Sequence, residues 1–130
     1  MSNDGVTPGT VFIVDDDAAV RDSLSVLMEV HGLDVEAFDS VAAFKRAYRA
    51  KNRACLVLDQ HMPNVTGLDF LTSSEGRDLP IPVILVTAHS DKDIRTQARD
   101  AGVFAFLAKP VDSDALLIAV GDAIAHGKTD

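Results

Sequence analysis

Short unbroken apolar runs alternate along this chain with longer stretches in which apolar residues recur every third or fourth position. Val11–Val14, Cys55–Leu58, Val83–Val86 and Val103–Phe106 have the length of strands and carry almost no polar residue. Such runs predict strands buried on both faces. Between them the period changes. Val20, Leu24, Leu27 and Met28 fall on one helical face, and Gly32 is placed to close that helix beside His31. Leu33–Ala37 reads as a second strand of mixed polarity, suited to an edge. Ser40 is an N-cap for a helix turning Val41, Phe44 and Tyr48 inward. The third strand is Ala54–Leu58. Pro63 and Gly67 shape a loop, a short helix carries Leu68 and Leu71, and Gly76–Pro82 breaks the chain before the fourth strand. Asp91 caps a helix with Ile94, Ala98 and Ala101 inward, ended by Gly102. Pro110 follows the fifth strand, and Asp112 or Ser113 opens a last helix carrying Leu116, Leu117, Val120 and Ile124.

Five β–α units in succession predict an α/β fold with a parallel sheet covered on both faces. The flavodoxin-like, doubly wound five-stranded arrangement in the order 2-1-3-4-5 fits, with its site at the carboxyl ends of strands one and three. Residues 10–125 are expected to form the domain. Residues 1–9 read as a flexible lead-in, and 126–130 as a tail or the start of a linker. The helix around Ile94 is the most polar, with a thin apolar stripe; little burial holds such an element in place.

Composition narrows the function classes. The chain has 130 residues, 47% of them apolar, which suits one globular domain. Its net charge of −8 opposes binding to a nucleic-acid backbone by this domain. No apolar run approaches the roughly 20 residues of a membrane span, and the polar N-terminus has no signal-peptide pattern. A cytoplasmic protein is expected. Cys55 is the single cysteine, so no internal disulfide forms, and its apolar run marks it as a core residue.

The candidate chemistry sits where the apolar runs stop. Asp15 and Asp16 follow the first, Asp59 the third, Thr87 the fourth, and Lys109 stands just beyond the fifth. Parallel strands end on one edge, so these five residues are expected to meet. Two carboxylates about 4 Å apart repel by about 4 kcal/mol at an effective dielectric of about 20. Three need a counter-ion or protonation. Hard oxygen ligands around an open site favour Mg2+. Lys109 adds fixed positive charge and Thr87 a hydroxyl donor. The assembly suits a phosphoryl group, neutralised by metal and ammonium and attacked by a carboxylate. Asp59 stands alone and is assigned as nucleophile; the adjacent Asp15 and Asp16 are assigned to the metal.

The ordered set Val14-Asp15-Asp16-Asp17, Leu58-Asp59-Gln60-His61-Met62-Pro63 with Gly67, Val86-Thr87-Ala88, and Phe106-Leu107-Ala108-Lys109-Pro110 resembles the receiver domain of two-component response regulators. The resemblance covers roughly residues 9–125. It implies phosphoryl transfer from a phosphohistidine of a sensor histidine kinase, or of a phosphotransfer protein, to Asp59. It implies direct Mg2+ ligation by Asp16, ligation by Asp15 through water, a side-chain oxygen from Asp59 and the backbone carbonyl of His61. Lys109 and Thr87 would hold the phosphoryl oxygens, and Phe106 would turn as Thr87 moves. The face of the fourth helix, fifth strand and fifth helix would then change for an output domain, a target protein or a second copy. Lys109–Pro110 is commonly cis in this family. Such a protein is a signalling phosphoacceptor rather than an enzyme in the ordinary sense.

His61 and His89 stand two residues after Asp59 and Thr87. Receivers use these positions to influence phosphoryl lifetime, and imidazoles there are expected to make that lifetime pH-sensitive. A transition-metal site from both imidazoles and Asp59 is a weaker alternative. Three other readings compete. Asp15 resembles the nucleophile of haloacid-dehalogenase phosphatases, but the later acidic pair is unconvincing. An FMN carrier needs a phosphate cradle where Asp15–Asp17 stand. A receiver-like interaction module would work without phosphorylation.

Overall fold

The computed structural model describes residues 9–88 and 92–127. Most of the expected lead-in, the last three residues, the cap Asp91 and the candidate His89 lie outside the described residues. The elements run β1 (Thr10–Val14), α1 (Ala18–Val30), β2 (Asp34–Phe38), α2 (Val41–Ala47), β3 (Ala54–Asp59), α3 (Gly67–Thr72), α4 (Ser74–Arg77), β4 (Val83–Thr87), α5 (Lys92–Asp100), β5 (Ala105–Ala108) and α6 (Ser113–Gly127). The five strands form one sheet in the order β2-β1-β3-β4-β5, all parallel. The expected doubly wound architecture is therefore observed.

Successive strand residues point to opposite faces, and the unbroken runs feed two cores. Phe12, Val14, Leu56, Leu58 and Leu85 pack beneath α2, α3 and α5, with Phe44, Phe70 and Ala98. Val11, Ile13, Val57, Ile84 and Val86 pack beneath α1 and α6, with Met28, Leu116 and Val120. Cys55 belongs to the second core. Burial pushes its thiol pKa up to about 12, so it packs as a small apolar residue. Edge strand β2 is half-exposed, as its mixed sequence predicts.

Helix starts follow side-chain capping. Asp17 accepts from the amides of Ala19 and Val20 at the start of α1. Ser40 caps α2, and Thr66 with Asp69 closes a capping box on α3. Asp112 accepts from the Ala115 amide at 2.9 Å, so it, not Ser113, opens α6.

Several boundaries differ from expectation. Val103 and Phe104 are not strand: their amides donate to Ala98 and Val83 carbonyls as the chain leaves α5, and β5 starts at Ala105. Gly76 lies inside the short α4 instead of a break. A Cβ there would strike the Phe70 carbonyl, so only glycine lets α4 fold back on α3. This extra helix makes α5 and α6 the fourth and fifth helices of the sequence reading. Tyr48 is the C-cap of α2, yet its ring still packs 5.3 Å from those of Phe12 and Phe44. Gly9 is buried, and its carbonyl accepts from Asp34, so the lead-in ends before it. His126 lies within α6, its ring 5.2 Å from that of Phe104.

Candidate functional site

The backbone brings the five strand-end residues to one edge by continuing the ladders past their last pairs. Val14 pairs with Leu58, Asp59 with Val86 and Thr87 with Ala108. Beyond them the Asp15 amide donates to Phe38, the Gln60 amide to Val86, and the Lys109 amide to Thr87. The acidic pair, Asp59, Thr87 and Lys109 thus occupy neighbouring strand ends. The Lys109–Pro110 bond is cis.

Asp15, Asp59 and Thr87 are 4%, 2% and 1% exposed, whereas Asp16 opens to solvent. Carboxylate oxygens of Asp15, Asp16 and Asp59 lie within 4.8 Å of one another. Lys109 Nζ is 3.2 Å from Asp59 Oδ1, which also accepts from the His61 amide at 3.3 Å. Asp15 Oδ1 accepts from the Asp17 amide at 2.9 Å. Burial raises the Asp15 pKa above its ordinary value, and the charges of Asp59 and Asp16 push the same way. The Asp17 amide and Lys109 oppose them without prevailing. Three hard-oxygen donors, one of them held uneasily as an anion, fit a small divalent cation with open positions for water and phosphate.

The loop after β3 is held from below. Gln60 is buried, its side chain accepts from the Leu68 amide at 2.8 Å, and its carbonyl accepts from Gly67. A Cβ on Gly67 would meet Leu85 at 2.8 Å and the Asp59 carbonyl at 2.9 Å, so glycine is required for that close approach. Asn64 turns the loop with φ 74°, a conformation Asn tolerates better than most residues.

His61 is engaged beyond its amide. Its Nε2 lies 2.8 Å from Thr87 Oγ1. Phe106 is half-buried on β5, and the Arg95 guanidinium of α5 stands 5.3 Å above its ring. Sequence reasoning missed Arg21, which donates to the Asp15 carbonyl at 2.7 Å from one turn into α1. It also missed the role of Gln60. A cavity of about 190 Å3 adjoins the site, walled by Val20 and Leu24 of α1, by Pro110 and Val111, and by Asp15 and Lys109.

An open parallel sheet whose carboxyl edge gathers buried carboxylates, a lysine and a hydroxyl defines a class of doubly wound α/β domains with an acidic strand-end site. The family model for the response regulator receiver domain matches residues 11–121, and the chain belongs to that family. The transcriptional regulatory protein FixJ of Bradyrhizobium diazoefficiens is 35% identical over 118 residues, covering 91% of this chain and 58% of that protein. The transcriptional regulatory protein TdiR of Thauera aromatica is 41% identical over 116 residues, covering 89% and 51%. The structure of full-length FixJ from B. japonicum superposes with a TM-score of 0.84 at 33% identity, over 95% of this chain and 61% of that one. That of the response regulator StyR superposes with a TM-score of 0.83 at 36% identity, over 92% and 60%. The chain thus spans 51–61% of these relatives' length. Family membership replaces the phosphatase and flavin-carrier readings. Among the described residues no helix is long and apolar enough to cross a membrane.

Proposed function

We propose that this receiver domain accepts a phosphoryl group on Asp59 from a phosphohistidine of a sensor kinase or phosphotransfer protein. The observation that carries the reading is the Asp59 carboxylate, 2% exposed, set against Lys109 Nζ at 3.2 Å and the Asp15–Asp16 pair. A carboxylate oxygen forms the new P–O bond as the P–N bond breaks. The imidazole leaves with the electron pair and takes a proton from solvent. Lys109 balances charge on the transferring oxygens, and the Thr87 hydroxyl donates to one of them. Asp15, Asp16, Asp59 and the His61 carbonyl would hold Mg2+, which supplies positive charge against the phosphoryl oxygens.

The signal leaves through β4 and β5. Thr87 moves toward the phosphoryl group, Phe106 takes the vacated space, and the surface of α5, β5 and α6 changes. Arg95 over the Phe106 ring ties α5 to that movement. The phosphoryl group shifts a population by contacting one arrangement better than the other. That face would serve an output domain, a target or a second copy of the chain.

Incubation with a small phosphodonor and Mg2+, followed by peptide mass spectrometry, tests the reading. Phosphate on Asp59, absent in Asp59→Asn, is expected; phosphate elsewhere or nowhere overturns it. Binding that survives Asp59→Asn unchanged would mark a phosphorylation-independent interaction module.

A further inference from the structure

We propose that His61 is a positioning residue for Thr87: in the unphosphorylated chain its imidazole Nε2 accepts the Thr87 hydroxyl proton, and a phosphoryl group on Asp59 must displace it. The inference rests on the functional reading above and adds what opposes the switch at rest.

One residue spans the two partners of the reaction. The His61 amide donates to Asp59 Oδ1 at 3.3 Å, while its ring reaches Thr87 Oγ1 at 2.8 Å. The ring works from a fixed base. The preceding Gln60 is pinned by its side chain to the Leu68 amide at 2.8 Å and by its carbonyl to Gly67. The neighbouring Met62 is buried. The contact therefore belongs to an anchored loop.

A hydroxyl has one proton to donate. A phosphoryl oxygen is the stronger acceptor because it is charged, but it collects only the difference between the two hydrogen bonds. Thr87 is 1% exposed, so solvent does not readily replace His61 during the exchange. His61 itself is exposed, so water takes over its nitrogen once Thr87 has gone. The latch is thus weak enough for a phosphoryl group to break and strong enough to hold the resting hydroxyl away from the active arrangement. It requires the tautomer with its proton on Nδ1.

The test is a double-mutant cycle on the whole chain. Calorimetry measures the affinity for beryllofluoride, a tetrahedral stand-in for an aspartyl phosphoryl group, with Mg2+ in excess. His61→Ala keeps the backbone carbonyl and is expected to bind about fivefold tighter, the worth of one net hydrogen bond. His61→Gln, whose amide oxygen can accept, is expected to return toward wild type. In the Thr87→Val background the same His61→Ala change is expected to do nothing. Equal or weaker binding by His61→Ala, or an equal effect without the hydroxyl, overturns the latch. Nitrogen-15 NMR of wild type, at a pH where the imidazole is neutral, reads the resting chain without phosphate or Mg2+. An unprotonated Nε2 is expected, and a protonated one overturns the proposal. Absence of beryllofluoride binding in wild type would instead sink Asp59 as phosphoacceptor, with the tautomer still reporting on the latch.

Discussion

Asp15→Asn is expected to stabilise the chain in the absence of metal and to remove most of the stabilisation that Mg2+ brings. Asp15 and Asp59 are 4% and 2% exposed, with carboxylate oxygens within 4.8 Å. At that distance and an effective dielectric of about 20, two negative charges repel by about 3.5 kcal/mol. Lys109, 3.2 Å from Asp59 Oδ1, cancels part of this, and the neighbouring Asp16 is open to solvent. About 1–2 kcal/mol is left for the substitution to recover. Asparagine has the same shape and keeps an oxygen for the Asp17 amide, now bonded at 2.9 Å. The sign follows from the pKa. Burial first, then Asp59, raises Asp15 above its ordinary 3.8 in the folded chain. The folded state therefore holds this proton more tightly than the unfolded one. Its contribution is complete below 3.8 and is lost as pH rises through the folded pKa. Above the folded pKa the metal-free wild type carries the buried charge, whereas the variant is neutral at every pH. Urea denaturation at pH 7 with a chelator should place the variant about 1–2 kcal/mol higher, or roughly 4–7 °C in Tm for a domain of this size. With Mg2+ at about a hundred times its Kd, wild type gains about 2.7 kcal/mol, the variant gains less, and the order reverses. A variant less stable than wild type in chelator, or one that gains as much from Mg2+, would refute the reasoning.

Other perturbations test the frame around the site. Gly67→Ala would press a Cβ to 2.9 Å from the Asp59 carbonyl, a backbone atom with little room to yield; a loss of about 1–3 kcal/mol in urea titration is expected. Phe12 is fully buried among Phe44 and Tyr48, and Phe12→Ala should cost about 3–5 kcal/mol by the same assay. Lys109→Met keeps a long side chain without the charge 3.2 Å from Asp59. It should slow phosphorylation by a small phosphodonor at least about tenfold while circular dichroism stays unchanged.

What was legible in the sequence was whatever the backbone alone decides. Parallel strands end on one edge, so four apolar runs and the residues after them were enough to place Asp15, Asp59, Thr87 and Lys109 together. The error over β5 has a local cause. Val103 and Phe104 are as apolar as strand residues, but the Val103 amide still bonds to Ala98 of α5 and Phe104, bonded to Val83, is exposed, and hydrophobicity does not show where ladder pairing begins. The capping Asp17 was read within a motif, though its carboxylate holds the first amides of α1. Contacts that need a particular side-chain direction were beyond reach. Nothing in the order of residues shows that the Gln60 side chain turns under its own loop, or that the His61 ring reaches Thr87 twenty-six positions away. Under the proposed function those two contacts would bear on control. The strand ends bring together the groups that would hold a phosphoryl oxygen, an arrangement set by ladder register and hard to tune. The loop after β3 rests on that edge, anchored at Gln60 and Gly67. Its exposed position 61 can vary without disturbing the core. A side chain there that accepts the Thr87 proton would raise the cost of switching; one that cannot would lower it. The lifetime and threshold of the signal would then be adjustable at the loop, with the carboxylates, lysine and hydroxyl unchanged.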